Sequence, residues 1–295
     1  KIPMIQLNHH PVEFVTFPNK EHRLDLPTEH LADHNTVLWQ FESDASIFEL
    51  LLFDRAMTQL DQSYDLTISY MPYSRMDRVQ EKNTAFSLEL LCDLFSIQLD
   101  GLNKLFVLDP HSPITLELLK SYNVDAEEVN YSLAKTVIDY TQVDLNNAWV
   151  VFPDKGAAGR YKAEDYPNVI ICEKTRDFAT GKITDMTAHV HTMTTKPDEN
   201  APILIIDDLC SYGGTFIRAV DTVKKLEPVR SNKAWLIVTH AEEALEKGAV
   251  LETFDKVFCT DSIATPANHK IINEDAFDPT HQVYVKPVAN ILKEL

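Results

Sequence analysis

Basic residues are in short supply. Asp and Glu number 45 against 27 Lys and Arg, a formal charge of -18 in 295 residues. A field of that sign repels nucleic acid and anionic membrane surfaces, which leaves small-molecule or metal chemistry as the class to look for. Cysteine is sparse as well. Cys92, Cys172, Cys210 and Cys259 are scattered, form no C-x-x-C pair and sit mostly in apolar runs, the pattern of reduced, structural thiols. Long apolar runs are missing, none approaching the ~20 residues that a membrane helix needs. The opening "KIPMIQLNHHPVEF" lacks the shape of a signal peptide, so a cytoplasmic enzyme is the expected class. Short-period repeats and low-complexity tracts are absent too. Glycine occurs only seven times, which makes the adjacent pair Gly213 and Gly214 conspicuous.

What the chain does contain is alternation. Apolar, β-branched runs suited to buried strands recur as "TVLWQF", "LTISYMPY", "KLFVLDP", "AWVVFPD", "NVIICEK", "ILIIDD", "KAWLIVTH" and "KVFCTDS",. Helical spacing separates most of them, over Asp44 to Leu60, Ala85 to Leu99 and Thr215 to Leu226. Strand, helix, strand in alternation predicts crossover units and an α/β fold with parallel sheets flanked by helices. There are more strands than one compact sheet needs, and the irregular polar interval around Ser121 to Tyr131 predicts a boundary between two domains, 1–127 and 128–295.

In a parallel sheet ligands gather beyond the carboxyl ends of the strands. After Ile206 come Asp207 and Asp208, then Ser211, Tyr212, Gly213, Gly214 and Thr215 opening a helix. Paired acids beside a glycine turn and a helix N-terminus suit a sugar phosphate, whose hydroxyls donate to the acids while its phosphate meets backbone N–H groups. After "VVF" comes "PDKGAAGR", where Asp154 can hold Mg²⁺ and the loop of Lys155, Gly156 and Ala157 can hold a polyphosphate. After "LFVL" come Asp109 and His111, an acid and an imidazole fit for a metal or a phosphate, or for a structural role. In "ICEKTRDFATGK", Lys174 and Arg176 lie two apart on an extended run and point to one side, an arrangement suited to charge on a transferring phosphoryl group or to a salt-bridged strand edge. "YMPYSRMDR" puts Arg75, Asp77 and Arg78 beyond another apolar strand, where guanidinium groups can grip a triphosphate or decorate a surface. His189 and His191 of "HVH" share one face of an extended run and are read as structural rather than metal-binding.

Taken in order, these stretches resemble the ribose-phosphate pyrophosphokinases from about Phe17 to the C-terminal helix. The family's ATP-binding segment corresponds to "MPYSRMD", with Tyr73, Arg75 and Asp77, and its metal histidine to His111 of "LDPH". Its pyrophosphate loop corresponds to "FPDKGA", making Asp154 a metal ligand, and its catalytic Lys-x-Arg pair to Lys174 and Arg176. Its sugar-phosphate loop corresponds to Asp207 through Thr215. "FPNKE" looks like the segment that reaches the adenine of a neighbouring subunit, through Phe17, Asn19 and Glu21. The resemblance implies a Mg²⁺-dependent enzyme, a homo-oligomer of two copies or more, with 1–127 as its ATP-binding domain and 128–295 as its sugar-phosphate domain. It leaves the last helix able to pack back on the first domain. The implied reaction moves the β,γ-diphosphoryl group of ATP to the anomeric hydroxyl of ribose 5-phosphate and releases AMP.

The sequence also departs from the family. It is shorter at the N-terminus by about one strand and helix. Met76 stands where a glutamine is usual, Lys155 adds a cation to the pyrophosphate loop, and Ser211 and Tyr212 replace an acid and a small hydroxyl residue. A bulkier loop accommodates simple repacking or a larger acceptor. ADP-ribose is such an acceptor, giving an activated product for NAD synthesis, with an adenosine on which Tyr212 can stack. A phosphoribosyltransferase and a non-catalytic regulatory relative are the competing classes. The first does not need Lys174, Arg176, His111 and the ATP-like segment together, and the second is expected to lose the two cations.

Overall fold

The computed structural model describes residues 4–177, 183–263 and 278–295. It divides into two compact units, one of Lys1–Tyr131 with Ser262–Ala264 and Val288–Leu295, the other of Ser132–Asp261 with the later chain as far as Pro287.

In the first unit, β1 (Ile5–Leu7) and β2 (His10–Val12) precede a hairpin of β3 (Phe14–Thr16) and β4 (His22–Leu24). Then follow β5 (Asn35–Trp39), α1 (Asp44–Gln59), β6 (Tyr64–Ile68), α2 (Ser87–Gln98), β7 (Leu102–Val107), α3 (Ile114–Ser121) and β8 (Ala126–Glu128). The sheet order is β2-β1-β5-β6-β7-β8. β5 through β8 are parallel, whereas β1 is antiparallel to both neighbours. The sheet is therefore mixed, not wholly parallel. The interval expected to be irregular contains β8, whose residues Ala126–Glu128 extend the edge beside β7. Ser43 caps α1, with Ser46 completing a capping box,. The core is aromatic: Trp39, Phe53, Tyr64 and Phe95 are buried together. The C-terminal helix, labelled α8 below (Val288–Glu294), belongs to this unit, where Val288 and Ile291 pack with Leu38, Leu108 and Val129.

The second unit contains α4 (Leu133–Thr141), β9 (Trp149–Phe152), α5 (Lys155–Arg160), β10 (Asn168–Arg176), β11 (Ile183–Met193), β12 (Ile203–Cys210), α6 (Gly214–Val223), β13 (Ala234–Ala241), α7 (Val250–Thr253), β14 (Lys256–Thr260) and β15 (Val283–Lys286). Its order is β11-β10-β9-β12-β13-β14-β15. Only β10 and β11 are antiparallel. β12 begins with four fully buried residues, Ile203 to Ile206, as a strand covered on both faces requires. It does not stop at the acids: Asp207 pairs with Val238 and Cys210 with Ala241. α6 buries Phe216, Ala219, Val220 and Val223, one stripe of its 3.6-residue period.

From β9 the chain passes to β10 on one side, while β12 lies on the other and leads away to β13. The order thus reverses between β9 and β12, and a crevice opens beyond the carboxyl ends of two such strands. Asp154 follows β9 and Asp207 lies near the end of β12. All four cysteines are buried and free, with burial the leading cause that pushes each thiol up to about 12. Among the described residues, no helix is long and apolar enough to cross a membrane.

Candidate active site

The second unit gathers most of the charged candidates. Asp154 is the N-cap of α5 and accepts a hydrogen bond from the Ala157 N–H at 2.9 Å. Its other carboxylate oxygen accepts from Lys174 Nζ at 2.9 Å. Burial pushes this carboxyl up, but the Ala157 N–H, the Lys174 cation and the Arg160 charge together outweigh it and hold Asp154 below the usual carboxylate range,. Lys155, beside it, pairs with Glu173 at 3.0 Å. Gly156 is exposed and Ala157 buried. Lys174 lies on β10 with its side chain only 13% exposed. Arg176 ends the same strand. Its side chain and residues 178–182, the rest of the expected catalytic loop, lie outside the described residues.

Asp207 and Asp208 stand side by side within β12. Arg160, at the end of α5, brings its guanidinium to 3.0 Å from Asp208. Asp207 is pushed well above the ordinary carboxylate range, first by burial, then by the charge and hydrogen bonding of Asp208, with Asp154 adding to it. Neighbouring carboxyls disfavour simultaneous ionisation, and the Arg160 guanidinium sets a cation beside Asp208. The oxygens of the pair can take the hydroxyls of a vicinal diol.

The chain then turns through Ser211 and an exposed Tyr212 (65%) into Gly213. Gly213 adopts φ 80° as the N-cap of α6, a left-handed conformation that glycine takes without strain. Gly214 is exposed, and a Cβ there would meet nothing within 4 Å. Open space, a glycine and the first N–H groups of a ten-residue helix sit together just past the acids. This is a geometry that accepts an anion.

The first unit carries the other candidates. Beyond β6, Tyr73 adopts φ 63° and its hydroxyl donates to Asp44. Asp77 is buried and accepts from Ser112 Oγ at 2.9 Å and Arg78 Nε at 3.0 Å. Burial raises its pKa, yet the hydrogen bonds from Arg78 and Ser112, and the charges of Arg78 and His111, bring it below the ordinary range. Asp77 thus braces the turn, joining it to the loop of His111 and Ser112, while Arg75, Met76 and Arg78 are exposed. The β3–β4 turn exposes Phe17, Asn19 and Glu21. It is closed by the Phe17 N–H donating to Glu21 O at 2.9 Å and the Glu21 N–H to Asn19 Oδ1 at 3.2 Å. His189 and His191 are exposed on β11. Among the described residues no group of three or more His, Cys, Asp or Glu converges as a metal cage.

Sequence reasoning missed Arg160, Glu173 and Ser112. Arg160 is visible in "PDKGAAGR" as a cation, but its pairing with Asp208 depends on β9 and β12 being neighbours. Glu173 sits beside Lys174 in the chain, yet its tie to Lys155 depends on how α5 lies along β10.

No family model matches the chain. It is 29% identical over 232 residues to the ribose-phosphate pyrophosphokinase of Thermococcus kodakarensis, covering 77% of each chain. It is 28% identical over 229 residues to that of Pyrococcus furiosus, covering 76% of each, and 23% identical over 240 residues to ribose-phosphate pyrophosphokinase 2 of Saccharomyces cerevisiae, covering 78% of this chain and 70% of the relative. Among solved structures, the phosphoribosylpyrophosphate synthetase of Mycobacterium smegmatis matches 96% of this chain and 88% of its own with a TM-score of 0.68 at 18% identity. The chain is a homologue of the ribose-phosphate pyrophosphokinases, a transferase-type enzyme on their two-domain α/β fold.

Proposed function

We propose that the chain transfers the β,γ-diphosphoryl group of ATP to the anomeric hydroxyl of ribose 5-phosphate. The observation that carries the reading lies within the second unit: an acid pair, Asp207 and Asp208, is followed after Leu209 to Tyr212 by a left-handed glycine and an open helix N-terminus, and the ends of adjacent strands bring Asp154 and its partner Lys174 into the same neighbourhood. The acids take the ribose hydroxyls, and the backbone of Ser211 to Thr215 takes the 5-phosphate. The anomeric oxygen forms a bond to the β-phosphorus, the bond from that phosphorus to the α,β-bridging oxygen breaks, AMP leaves with the electron pair, and the hydroxyl proton is lost to solvent. Lys174, with Arg176, offsets the negative charge that spreads over the transferring group.

Mg²⁺ is usually held by one or two carboxylates together with substrate phosphates. Asp154, ionised and partly exposed, fits that mode, and the ion's chemistry is to neutralise phosphate charge. His111 in the first unit is the other candidate ligand. Arg75, Asp77 and Arg78 are assigned to ATP, and the loop of Lys155, Gly156 and Ala157 to its pyrophosphate. The exposed turn of Phe17, Asn19 and Glu21 is assigned to the adenine of a second copy in a homo-oligomer, as a cytoplasmic enzyme. Incubating the protein with Mg-ATP and ribose 5-phosphate and following AMP by chromatography tests the reading. A phosphoribosyltransferase or a regulatory homologue releases none.

A second reading keeps the chemistry and changes the acceptor to ADP-ribose, whose pyrophosphorylated product would feed NAD synthesis. Tyr212 supports it, since a ring 65% exposed beside the phosphate turn is placed to stack on an adenosine. AMP release with ADP-ribose and not with ribose 5-phosphate is its expected signature. Release with ribose 5-phosphate alone removes it.

A further inference from the structure

The turn from Ser211 to Gly213 rests on a second segment far along the chain. Gly213 lies directly on Val250, the fully buried first residue of α7. A Cβ on Gly213 would come 2.0 Å from Val250 Cγ2 and 3.6 Å from Cys210 Sγ. Two residues before Val250, Gly248 approaches the same turn from the backbone side: a Cβ there would lie 2.4 Å from the Tyr212 carbonyl oxygen and 3.4 Å from its carbon. Upstream, the Glu242 N–H donates to the Cys210 carbonyl at 2.9 Å. The turn is thus held at Cys210, Tyr212 and Gly213 by one stretch, residues 242–250. At Gly214, by contrast, a Cβ would meet nothing, so the next residue along is left open.

We infer that Gly248 and Val250 are positioning residues that set the affinity for the sugar phosphate without touching it. The inference rests on the reading that Ser211 to Thr215 takes the acceptor's phosphate. Gly248 is needed for close approach: the atom it would meet is backbone, which cannot swing aside as a side-chain end can. In a chain with seven glycines, three therefore serve this one feature. Gly213 supplies the left-handed turn, Gly214 the open space and Gly248 the clearance for Tyr212. An alanine at 248 has to displace the Tyr212 carbonyl or the 247–249 turn by roughly half an ångström or more, and misplacements of about 1 Å in a binding constellation cost up to about a hundredfold.

The test uses the full chain as wild type, Gly248→Ala and Val250→Ala. Calorimetry measures Kd for ribose 5-phosphate and for ADP-ribose, and AMP release measures KM for ATP and for the acceptor. For Gly248→Ala we expect Kd and KM for the acceptor to rise about tenfold, with KM for ATP within twofold of wild type. Val250→Ala, which removes the methyls beneath Gly213, moves the same constants in the same direction by about threefold. Folded variants that both keep acceptor Kd within twofold of wild type overturn the inference, and if Gly248→Ala does not fold, Val250→Ala decides alone. A wild-type protein that binds an acceptor but releases no AMP defeats the reaction proposed above, while the Kd comparison still judges the positioning role. A wild type that binds neither acceptor defeats both.

Discussion

Two lysine–carboxylate pairs of nearly equal length occupy the two units. In the first, Lys104 on β7 reaches Glu127 on β8 at 2.7 Å, with the Lys104 side chain 31% exposed. In the second, Lys174 on β10 reaches Asp154 at 2.9 Å, its own side chain 13% exposed. Distance does not separate them; surroundings do. The Lys104 pair lies across an edge of the sheet in water, where an ion pair of this kind contributes little. The Lys174 pair ends on an acid that already caps a helix and feels Arg160, close to a second acid, Asp207, whose carboxyl burial and then the Asp208 charge push above the ordinary range. The same contrast holds between single acids. Asp54 of α1 is fully buried, and its oxygens accept from Tyr64 Oη at 2.8 Å and from the Gly101 and Asp100 N–H groups at 2.9 and 3.2 Å. A buried acid ringed by neutral donors is a structural tie. One set against a like charge and facing cations is poised for a ligand.

Replacing Lys174 by alanine is the strongest way to break the comparison. Removing one preorganised donor from developing phosphoryl charge lowers kcat by about 10²–10³, roughly 3–4 kcal/mol of barrier. Asp154 keeps the Ala157 N–H and the Arg160 charge, so the midpoint of thermal unfolding stays close to wild type. AMP release and circular dichroism on the same preparation check both halves, and retained kcat moves Lys174 into the class of Lys104.

Asp54→Asn shows the opposite profile. The amide sets an NH₂ against a ring of donors and leaves at least one buried group without an acceptor, costing about 1–3 kcal/mol of stability. Urea titration reads that loss, while AMP release per folded molecule is unchanged.

Burial raises the carboxyl of Asp207 and that of Asp54 alike, and for Asp207 the pH dependence of stability reads that shift. A carboxyl whose pKa is raised in the fold favours the folded state while protonated, and that advantage disappears as pH climbs through the raised value. Asparagine mimics the protonated form at every pH. The unfolding midpoint of Asp207→Asn should therefore gain on wild type as pH rises above the ordinary carboxylate range, about 4. A gap that stays flat or closes as pH rises places the proton elsewhere in the site.

The buried frame was the legible portion of the molecule. Each of the eight apolar runs contains a strand, because short β-branched, apolar runs suit a covered sheet, and the three periodic stretches are α1, α2 and α6, where apolar residues recur on one face. What stayed hidden lies on the rims. "HPV", "AEE" and "ITDMTAHVHTM" pair through backbone with a neighbour and carry polar side chains that hold no memory of it. β12 illustrates the limit within one element: its apolar letters end at Ile206, but β13 continues to supply partners, so the strand runs through both acids to Cys210. In the site, Asp154, Lys174 and the Asp207–Asp208 pair could be read from strand ends. Arg160 and Gly248 could not, since their meaning depends on which strand or loop lies opposite.

Lys104→Ala is the smallest expected effect and the control for the rest. Its ammonium sits among Glu127, Asp125 and Asp65, so its removal leaves three acids on one edge of an already acidic protein. At low ionic strength that repulsion should lower the unfolding midpoint slightly, by about 1 °C or less. In 0.5 M salt, where the screening length is only a few ångströms, the difference should vanish. Catalysis should not register the change, because β7 and β8 present this pair at their edge and no assigned ligand group comes from it. If Lys104→Ala lowered AMP release as Lys174→Ala does, exposure and charge environment would not be what distinguishes a functional ion pair here, and the assignment of Lys174 would lose its physical basis.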